Sequence, residues 1–247
     1  MKYISILLNH LSIISKFLSY KNKFSNSPKT NNEIILIELC PLINLQTTFH
    51  ILVSLILIRK FKIIFFYFGG YKINLFTSLL RYFLKKKNFE VINLSVKPKI
   101  KNNIKKFKSL KQCINYNYKG YKIGKYIYQS YCRLYLKSSL NLEDEKLYKL
   151  VSLSHAQIDY LENFFLKKKI KYLITTHVVF VNYGPLALVA KKYETKIKII
   201  YPEKNYSYIR TLSVDKKNLL QIDKYYEYKK EFKKKKNKSQ ILRQSRE

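Results

Sequence analysis

A polar loop follows a short apolar run at residues 172–175. The run is rich in β-branched and apolar side chains, which is typical of a buried parallel strand. The loop contains His177, Asn182 and Tyr183. Because ligands of open α/β sheets bind outside the carboxyl ends of the strands, we expect residues 175–183 to form the candidate site.

Two residues at predicted strand ends can take a proton from a ligand. His177 has an unperturbed pKa near neutrality, and Glu38 ends a second apolar run at residues 33–39. His177 is the favoured base, because the Tyr183 hydroxyl on the same loop can also bind a ligand. Two structural alternatives stay open: His177 could cap the next helix, and Glu38 could be a structural carboxylate that faces a helix.

These residues must be positioned by alternating strands and helices. The pattern predicts strands at residues 33–39, 61–68, 90–95, 172–175 and 197–200, and helices at residues 45–59, 74–87, 125–138, 142–168 and from about Pro185 onward. A proline favours the first turn of a helix, which is why the last helix is placed there. The order predicts an α/β fold: a Rossmann-like open, mainly parallel sheet of about five strands with helices on both faces.

Three regions are expected along the chain. Residues 1–32 read as an amphipathic segment and a polar linker, residues 33–222 as the Rossmann-like domain, and residues 223–247 as a basic tail. Within the domain, residues 97–121 are rich in lysine and asparagine and predict a partly ordered excursion. The apolar run in residues 1–20 is too short for a membrane span and lacks the cleavage site of a secretory signal.

The net charge of +34 first suggests an anionic partner. Only six of the 49 basic residues are arginines, whereas readers of bases and phosphates favour the bidentate guanidinium group. A nucleic-acid partner is therefore disfavoured, and an anionic membrane surface stays open. The three cysteines, Cys40, Cys113 and Cys132, lack metal-ligand spacing and predict reduced, mainly buried thiols in a cytoplasmic protein.

Two segments carry a family resemblance. Residues 120–136 read GYKIGKYIYQSYCRLYL, and residues 176–201 read THVVFVNYGPLALVAKKYETKIKIIY. Over residues 33–210 the chain resembles bacterial capsule and surface-polysaccharide biosynthesis proteins, which are glycosyltransferase-like and similar to GT-B enzymes. The matching positions are Ile123, Gly124, Ile127, Tyr128 and Arg133, then His177, Phe180, Tyr183, Gly184, Ala187 and Ala190.

The resemblance implies an amino-terminal, acceptor-side domain that takes part in sugar transfer. Inverting transfer needs a general base for the acceptor hydroxyl, which assigns catalytic roles to His177 and Glu38. Tyr183 and Asn182 would bind the substrate. Arg133 and Arg210 could hold a phosphate of a lipid-linked or nucleotide substrate, or could form surface ion pairs instead. The sequence contains neither a metal-ligand cluster nor an Asp-x-Asp motif, so we expect a metal-independent scheme without a cofactor.

The resemblance also implies partners. A glycan or lipid-linked acceptor would bind this domain, and the nucleotide-sugar would bind only with a second domain, because the chain ends where that half is expected to begin. A non-catalytic binding or scaffold module in polysaccharide assembly is the alternative, and a basic nucleic-acid-binding protein is a weaker one. We expect a cytoplasmic protein that can lie peripherally on the inner face of the membrane.

Overall fold

The computed structural model describes residues 33–39, 61–69, 75–86, 89–98, 106–202 and 209–213, together with Ser12 and Leu57. The strands in these ranges are β1 (Ile34–Glu38), β2 (Lys62–Tyr67), β3 (Glu90–Asn93), β4 (Asn117–Tyr118), β5 (Tyr121–Lys122), β6 (Ile170–Thr175), β7 (Lys196–Pro202) and β8 (Ile209–Ser213). The helices are α1 (Leu75–Lys86), α2 (Leu110–Ile114), α3 (Gly124–Leu134), α4 (Glu145–Lys167) and α5 (Phe180–Lys192).

The main sheet has the strand order β3-β2-β1-β6-β7-β8. The first five strands are parallel, and β8 pairs antiparallel with β7 at the edge. The strand order runs outward from β1 to β3 on one side of the sheet and from β6 to β7 on the other. The direction of the strand order therefore reverses between β1 and β6, although these two strands are parallel. This is an open, Rossmann-like α/β fold with helices around a parallel sheet, which confirms the predicted fold class.

The apolar strand sequences produce the buried core. All five residues of β1 are buried, as are residues 63–66 of β2, because both faces of a central parallel strand are covered. Phe65 packs edge-on against Phe89, with ring centroids 5.4 Å apart. The core therefore runs through the centre of the sheet and fixes the carboxyl ends of β1 and β6 side by side.

Helices α3, α4 and α5 pack against one another, and a hairpin of β4 and β5 joins them. Tyr121 of the hairpin donates to Glu162 of α4 at 2.8 Å, and Lys192 of α5 contacts the same carboxylate oxygen at 2.7 Å. Gly120 turns this hairpin with a φ of 86°, a conformation that glycine adopts without a steric cost. The hairpin thus ties the ends of α4 and α5 together.

Three sequence-based expectations need correction or extension. The prediction that the helix after β6 starts near Pro185 is wrong: α5 begins at Phe180 and contains Pro185 in its second turn. The excursion expected at residues 97–121 contains α2 and all of the β4–β5 hairpin except Lys122. Strand β8 has no counterpart in the sequence-based prediction, because IRTLS lacks the continuous apolar run of the central strands.

Several predicted segments lie outside the described residues. They are the amphipathic segment and linker at residues 1–32, the helix at residues 45–59 and the basic tail at residues 223–247, apart from Ser12 and Leu57, which are both helical. In the part of the chain that the structure does describe, no helix is both long enough and apolar enough to cross a membrane.

Candidate functional site

The carboxylate of Glu38 lies at the carboxyl end of β1 and is only 1% exposed. Ile37 is in register with Ile174 of β6, so Glu38 and Thr175 leave the two strands as neighbours. Oε2 of Glu38 accepts from the Thr175 hydroxyl at 2.8 Å, from the Thr176 N–H at 2.7 Å and from the Thr176 hydroxyl at 2.9 Å. A buried carboxylate needs such donors, since an unpaired buried charge is costly.

A fourth donor comes from α5. The Tyr183 hydroxyl donates to Oε1 of Glu38 at 2.6 Å. Tyr183 is itself buried, and its ring packs edge-on against Phe68 with centroids 4.8 Å apart. Glu38 therefore joins three elements, β1, the end of β6 and α5, at the point where the strand order reverses.

His177 lies on the loop between β6 and α5 and is half-buried. Its Nδ1 atom is 2.8 Å from the Thr176 hydroxyl, and its ring contacts the Tyr183 ring with centroids 4.0 Å apart. Nε2 has no hydrogen-bond partner among the described residues. One nitrogen of the imidazole is thus held by the protein, and the other has no such anchor in the described part of the chain.

The surroundings of His177 favour its neutral form. Burial lowers the pKa of His177 from its usual 6.5, because an imidazolium loses hydration there. The negative charge of Glu38 opposes this effect, and the positive charge of Arg133 adds to it. The pKa of His177 is lowered on balance, so the imidazole is neutral at pH 7 and can accept a proton.

The start of α5 explains how the loop is held. Val179 precedes the helix without a side-chain cap, and the N–H of Val181 instead donates to the buried Ser130 hydroxyl of α3 at 2.9 Å. The first helical residue, Phe180, has a φ of 65°. A bulky side chain in this left-handed region is strained by about 1–3 kcal/mol, and such strain often accompanies functional sites.

Arg133 lies in the last turn of α3, at the rim of the site. Its guanidinium group is 4.7 Å from the centre of the Phe180 ring, a cation–π distance. The Phe180 ring in turn lies edge-on to His177, with centroids 6.2 Å apart. The Phe180 ring therefore contacts both the exposed guanidinium group of Arg133 and the imidazole of His177, beside the β6–α5 loop.

Two glycines allow close contacts of α3, Gly184 with α5 and Gly124 with α2. A Cβ atom on Gly184 of α5 would lie 2.3 Å from Cδ1 of Tyr126, which belongs to α3. A Cβ atom on Gly124, the first residue of α3, would lie 1.9 Å from the backbone oxygen of Cys113. Neither position has room for a side chain, which accounts physically for the glycines in both motif segments.

The structure brings some predicted site residues together and leaves others apart. Glu38, His177 and Tyr183 form one network, and Arg133 lies at its rim. Asn182 is half-buried in the first turn of α5 rather than on a loop. Arg210 lies in β8, where its backbone pairs with Tyr201, and nothing further is described for it. Tyr183 uses its hydroxyl on Glu38, so its predicted substrate contact stays a prediction.

Sequence reasoning did not assign three residues that hold this site: Thr175, Thr176 and Ser130. Two consecutive threonines at a strand end, next to a histidine, can indicate such a site in a sequence, because a hydroxyl can bridge a base to a carboxylate. Ser130 gave no such signal, since its partner Val181 is distant in the sequence. Only the packing of α3 against α5 identifies it.

The other histidine and cysteines of the described residues lie elsewhere. His155 of α4 is 3.0 Å from the Tyr116 hydroxyl and stacks on Tyr118, with centroids 3.8 Å apart. Cys113 is buried, and burial raises the pKa of its thiol to about 11, as expected for an unreactive cysteine. Cys132 is half-buried and also free. Within the described ranges, no group of three metal-binding side chains is placed to hold an ion.

Fold and site together define an open, Rossmann-like α/β domain with a histidine and a buried carboxylate at the switch point of its sheet. Beyond this class, the comparisons with known proteins add no relative: no family model, no curated protein sequence and no solved structure matches this chain.

Proposed function

We propose that this chain is a glycosyltransferase-like domain of surface-polysaccharide biosynthesis that binds a glycan or lipid-linked acceptor. The acceptor hydroxyl lies at the carboxyl edge of the sheet, between β1 and β6, within reach of Nε2 of His177. The sequence resemblance suggests the class of reaction. The single structural observation that carries the proposal is the neutral, half-buried His177, linked through Thr176 to the buried Glu38 at the strand-order switch.

The geometry supports this role for two reasons. Open α/β sheets bind ligands outside the carboxyl ends of the strands at such a switch point. A general base must also be unprotonated at working pH and must have a free lone pair directed away from its anchor. Nε2 of His177 meets both conditions within the described residues, whereas Glu38 has its oxygens engaged by four donors and serves to hold the network.

The proposed step is an inverting transfer. Nε2 of His177 takes the proton of the acceptor hydroxyl, and the oxygen uses the released electron pair to bond the anomeric carbon of a nucleotide-sugar. The bond from that carbon to the nucleoside diphosphate breaks, and its electron pair stays on the phosphate oxygen. In the GT-B arrangement that the resemblance implies, a second domain binds the nucleotide-sugar.

Arg133 gives the site its positive rim. Its guanidinium group is exposed and is held over the Phe180 ring, so it can turn toward a phosphate while staying next to His177. A phosphate of a lipid-linked acceptor suits this position. Asn182 on the first turn of α5 has a side-chain amide that can contact sugar hydroxyls.

A transfer assay with variants tests this proposal. Extracts of cells that express the wild-type chain, His177→Ala or His155→Ala, each together with a nucleotide-sugar-binding second domain, receive radiolabelled nucleotide-sugars and a panel of glycan and lipid-linked acceptors. We expect transfer with the wild-type chain and with His155→Ala, and a loss of about 10²–10⁴-fold with His177→Ala. Full transfer by His177→Ala would refute the assignment of the base. Acceptor binding without any transfer would favour the scaffold alternative.

We also propose that the domain works at an anionic membrane surface. The net charge of +34 supports electrostatic attraction, which weakens as salt screens it. Co-sedimentation with vesicles tests the idea. We expect binding to vesicles that contain anionic lipid, release at high salt, and little binding to neutral vesicles. Equal binding to both kinds of vesicle would argue against it.

A further inference from the structure

The hydroxyl of Thr176 makes two contacts with a single proton. Its Oγ1 atom lies 2.9 Å from Oε2 of Glu38 and 2.8 Å from Nδ1 of His177. Both distances are those of a hydrogen bond, so the hydroxyl must donate in one direction and accept in the other. The direction decides which nitrogen of His177 carries a proton.

The other partners of Glu38 settle that direction. Its two oxygens accept from the Tyr183 hydroxyl, the Thr176 N–H and the Thr175 hydroxyl, in addition to the Thr176 hydroxyl. A carboxylate offers acceptor sites for all of these donors and has no proton of its own to give. If Thr176 donated to His177 instead, its oxygen lone pairs would face the carboxylate at 2.9 Å, which is repulsive.

We infer that Thr176 is a positioning residue that fixes His177 in the Nδ1–H tautomer, by donating to Glu38 and accepting from the imidazole. The catalytic consequence rests on the proposed function. In that reaction the proton of the acceptor hydroxyl arrives at Nε2, Nδ1–H keeps its bond to Thr176, and the imidazolium charge is balanced by Glu38 through the threonine. No other proton needs to move.

The charged and titratable groups around His177 are consistent with this chain. Glu38 faces it from β1, Arg133 from α3 and Tyr183 from α5. The positive charge of Arg133 disfavours the imidazolium form of His177. The negative charge of Glu38, which is connected to the ring through Thr176, is therefore needed to stabilise the imidazolium when the proton arrives. The matched residue is Thr175, whose hydroxyl donates to the same oxygen of Glu38 but contacts only the backbone oxygen of His177.

The two threonines allow a direct test that does not depend on activity. NMR of the full chain labelled with ¹⁵N in its four histidines reports the tautomer and the pKa of each ring. Substitutions of His177 and His155 assign their signals. The samples are the wild type, Thr176→Ser, Thr176→Val and Thr175→Val, and Thr176→Ala replaces Thr176→Val if the latter does not fold.

We expect a single Nδ1–H tautomer for His177 in the wild type, in Thr176→Ser and in Thr175→Val. Thr176→Val should lose this single tautomer and should lower the pKa of His177 further, because the imidazolium no longer has its acceptor at Nδ1. An Nε2–H tautomer in the wild type, or no change in Thr176→Val, would overturn the inference. Since tautomers are read without substrate, the inference can fail or hold independently of the proposed transferase activity.

Discussion

The phenolic hydroxyl of Tyr183 donates a 2.6 Å hydrogen bond to the buried carboxylate of Glu38, 145 residues away in the sequence. The bond connects the carboxyl end of β1 to the first turns of α5. It also packs the Tyr183 ring against His177. Changes to either residue are therefore expected to affect both the stability of the fold and the orientation of the candidate base.

Removing the Glu38 carboxylate should destabilise the protein. Glu38→Gln keeps the shape but replaces one acceptor oxygen with a donor group, so we expect a loss of about 1–3 kcal/mol in the free energy of unfolding. Glu38→Ala removes the carboxylate that accepts from four donors and should cost about 3 kcal/mol or more. Urea denaturation measures both effects.

Glu143 provides the matched control for these variants. Its side chain is 71% exposed and pairs with Lys106 on the surface. Glu143→Gln should change the free energy of unfolding by less than about 0.5 kcal/mol. If Glu38→Gln changes the free energy of unfolding as little as Glu143→Gln does, the hydrogen bonds to Glu38 do not stabilise the site.

The stability of the protein should depend on pH through His177. Its pKa in the folded state lies below the 6.5 of an exposed histidine, so between the two values the unfolded chain binds more protons. The free energy of unfolding should therefore fall as pH decreases below about 6.5, with a slope of at most about 1.36 kcal/mol per pH unit from this group. Denaturation at several pH values measures the slope.

His177→Gln should reduce that slope, because the variant has no group to titrate at this position. The difference between the wild type and the variant isolates His177 from the other titrating residues. The opposite result is a free energy of unfolding that increases in the wild type, relative to His177→Gln, as pH falls through 6.5. That result would mean that folding raises the pKa of His177.

Neutralising Arg133 should raise the pKa of His177. The guanidinium charge lowers it, so Arg133→Gln removes an unfavourable interaction with the imidazolium. Arg133→Lys keeps the charge and should leave the pKa closer to that of the wild type. Histidine NMR titrations of the three proteins at low salt measure the order, and an unchanged pKa in Arg133→Gln would place Arg133 too far away to act.

A methyl group at Gly184 should separate α3 from α5. The Cβ atom of Gly184→Ala would lie 2.3 Å from the Tyr126 ring, which cannot move easily because it is itself buried. We expect a loss of about 1–3 kcal/mol in the free energy of unfolding. A double-mutant cycle with Tyr126→Ala should recover part of the loss, and independent, additive effects would contradict the contact.

The sheet could be predicted from the sequence, because its strands are short apolar runs. Residues 33–39 and 61–68 match β1 and β2 within one residue at each end, since a central parallel strand needs apolar side chains on both faces. Strand β8 could not be predicted in this way. As an antiparallel edge strand it depends on pairing with β7 rather than on burial of its own sequence.

The candidate site could be predicted only in part. Polar residues at strand ends identified Glu38 and His177, but their connection depends on Thr176, and that contact requires β1 and β6 to be neighbours. The start of α5 was misplaced for a similar reason. Local sequence rules favour Pro185 at a first turn, whereas the Ser130 hydroxyl of α3 satisfies the Val181 N–H and lets the helix begin at Phe180.

The most direct test of the account is a titration of the ¹⁵N-histidine-labelled chain with a panel of glycan and lipid-linked acceptors, followed by NMR at Nε2 of His177. We expect an acceptor to shift this nitrogen while the signals of His155 stay in place, because of the two histidines that the structure describes only His177 lies at the carboxyl edge between β1 and β6. Binding of an acceptor that shifts His155, or that leaves Nε2 of His177 unchanged, would contradict the proposed site.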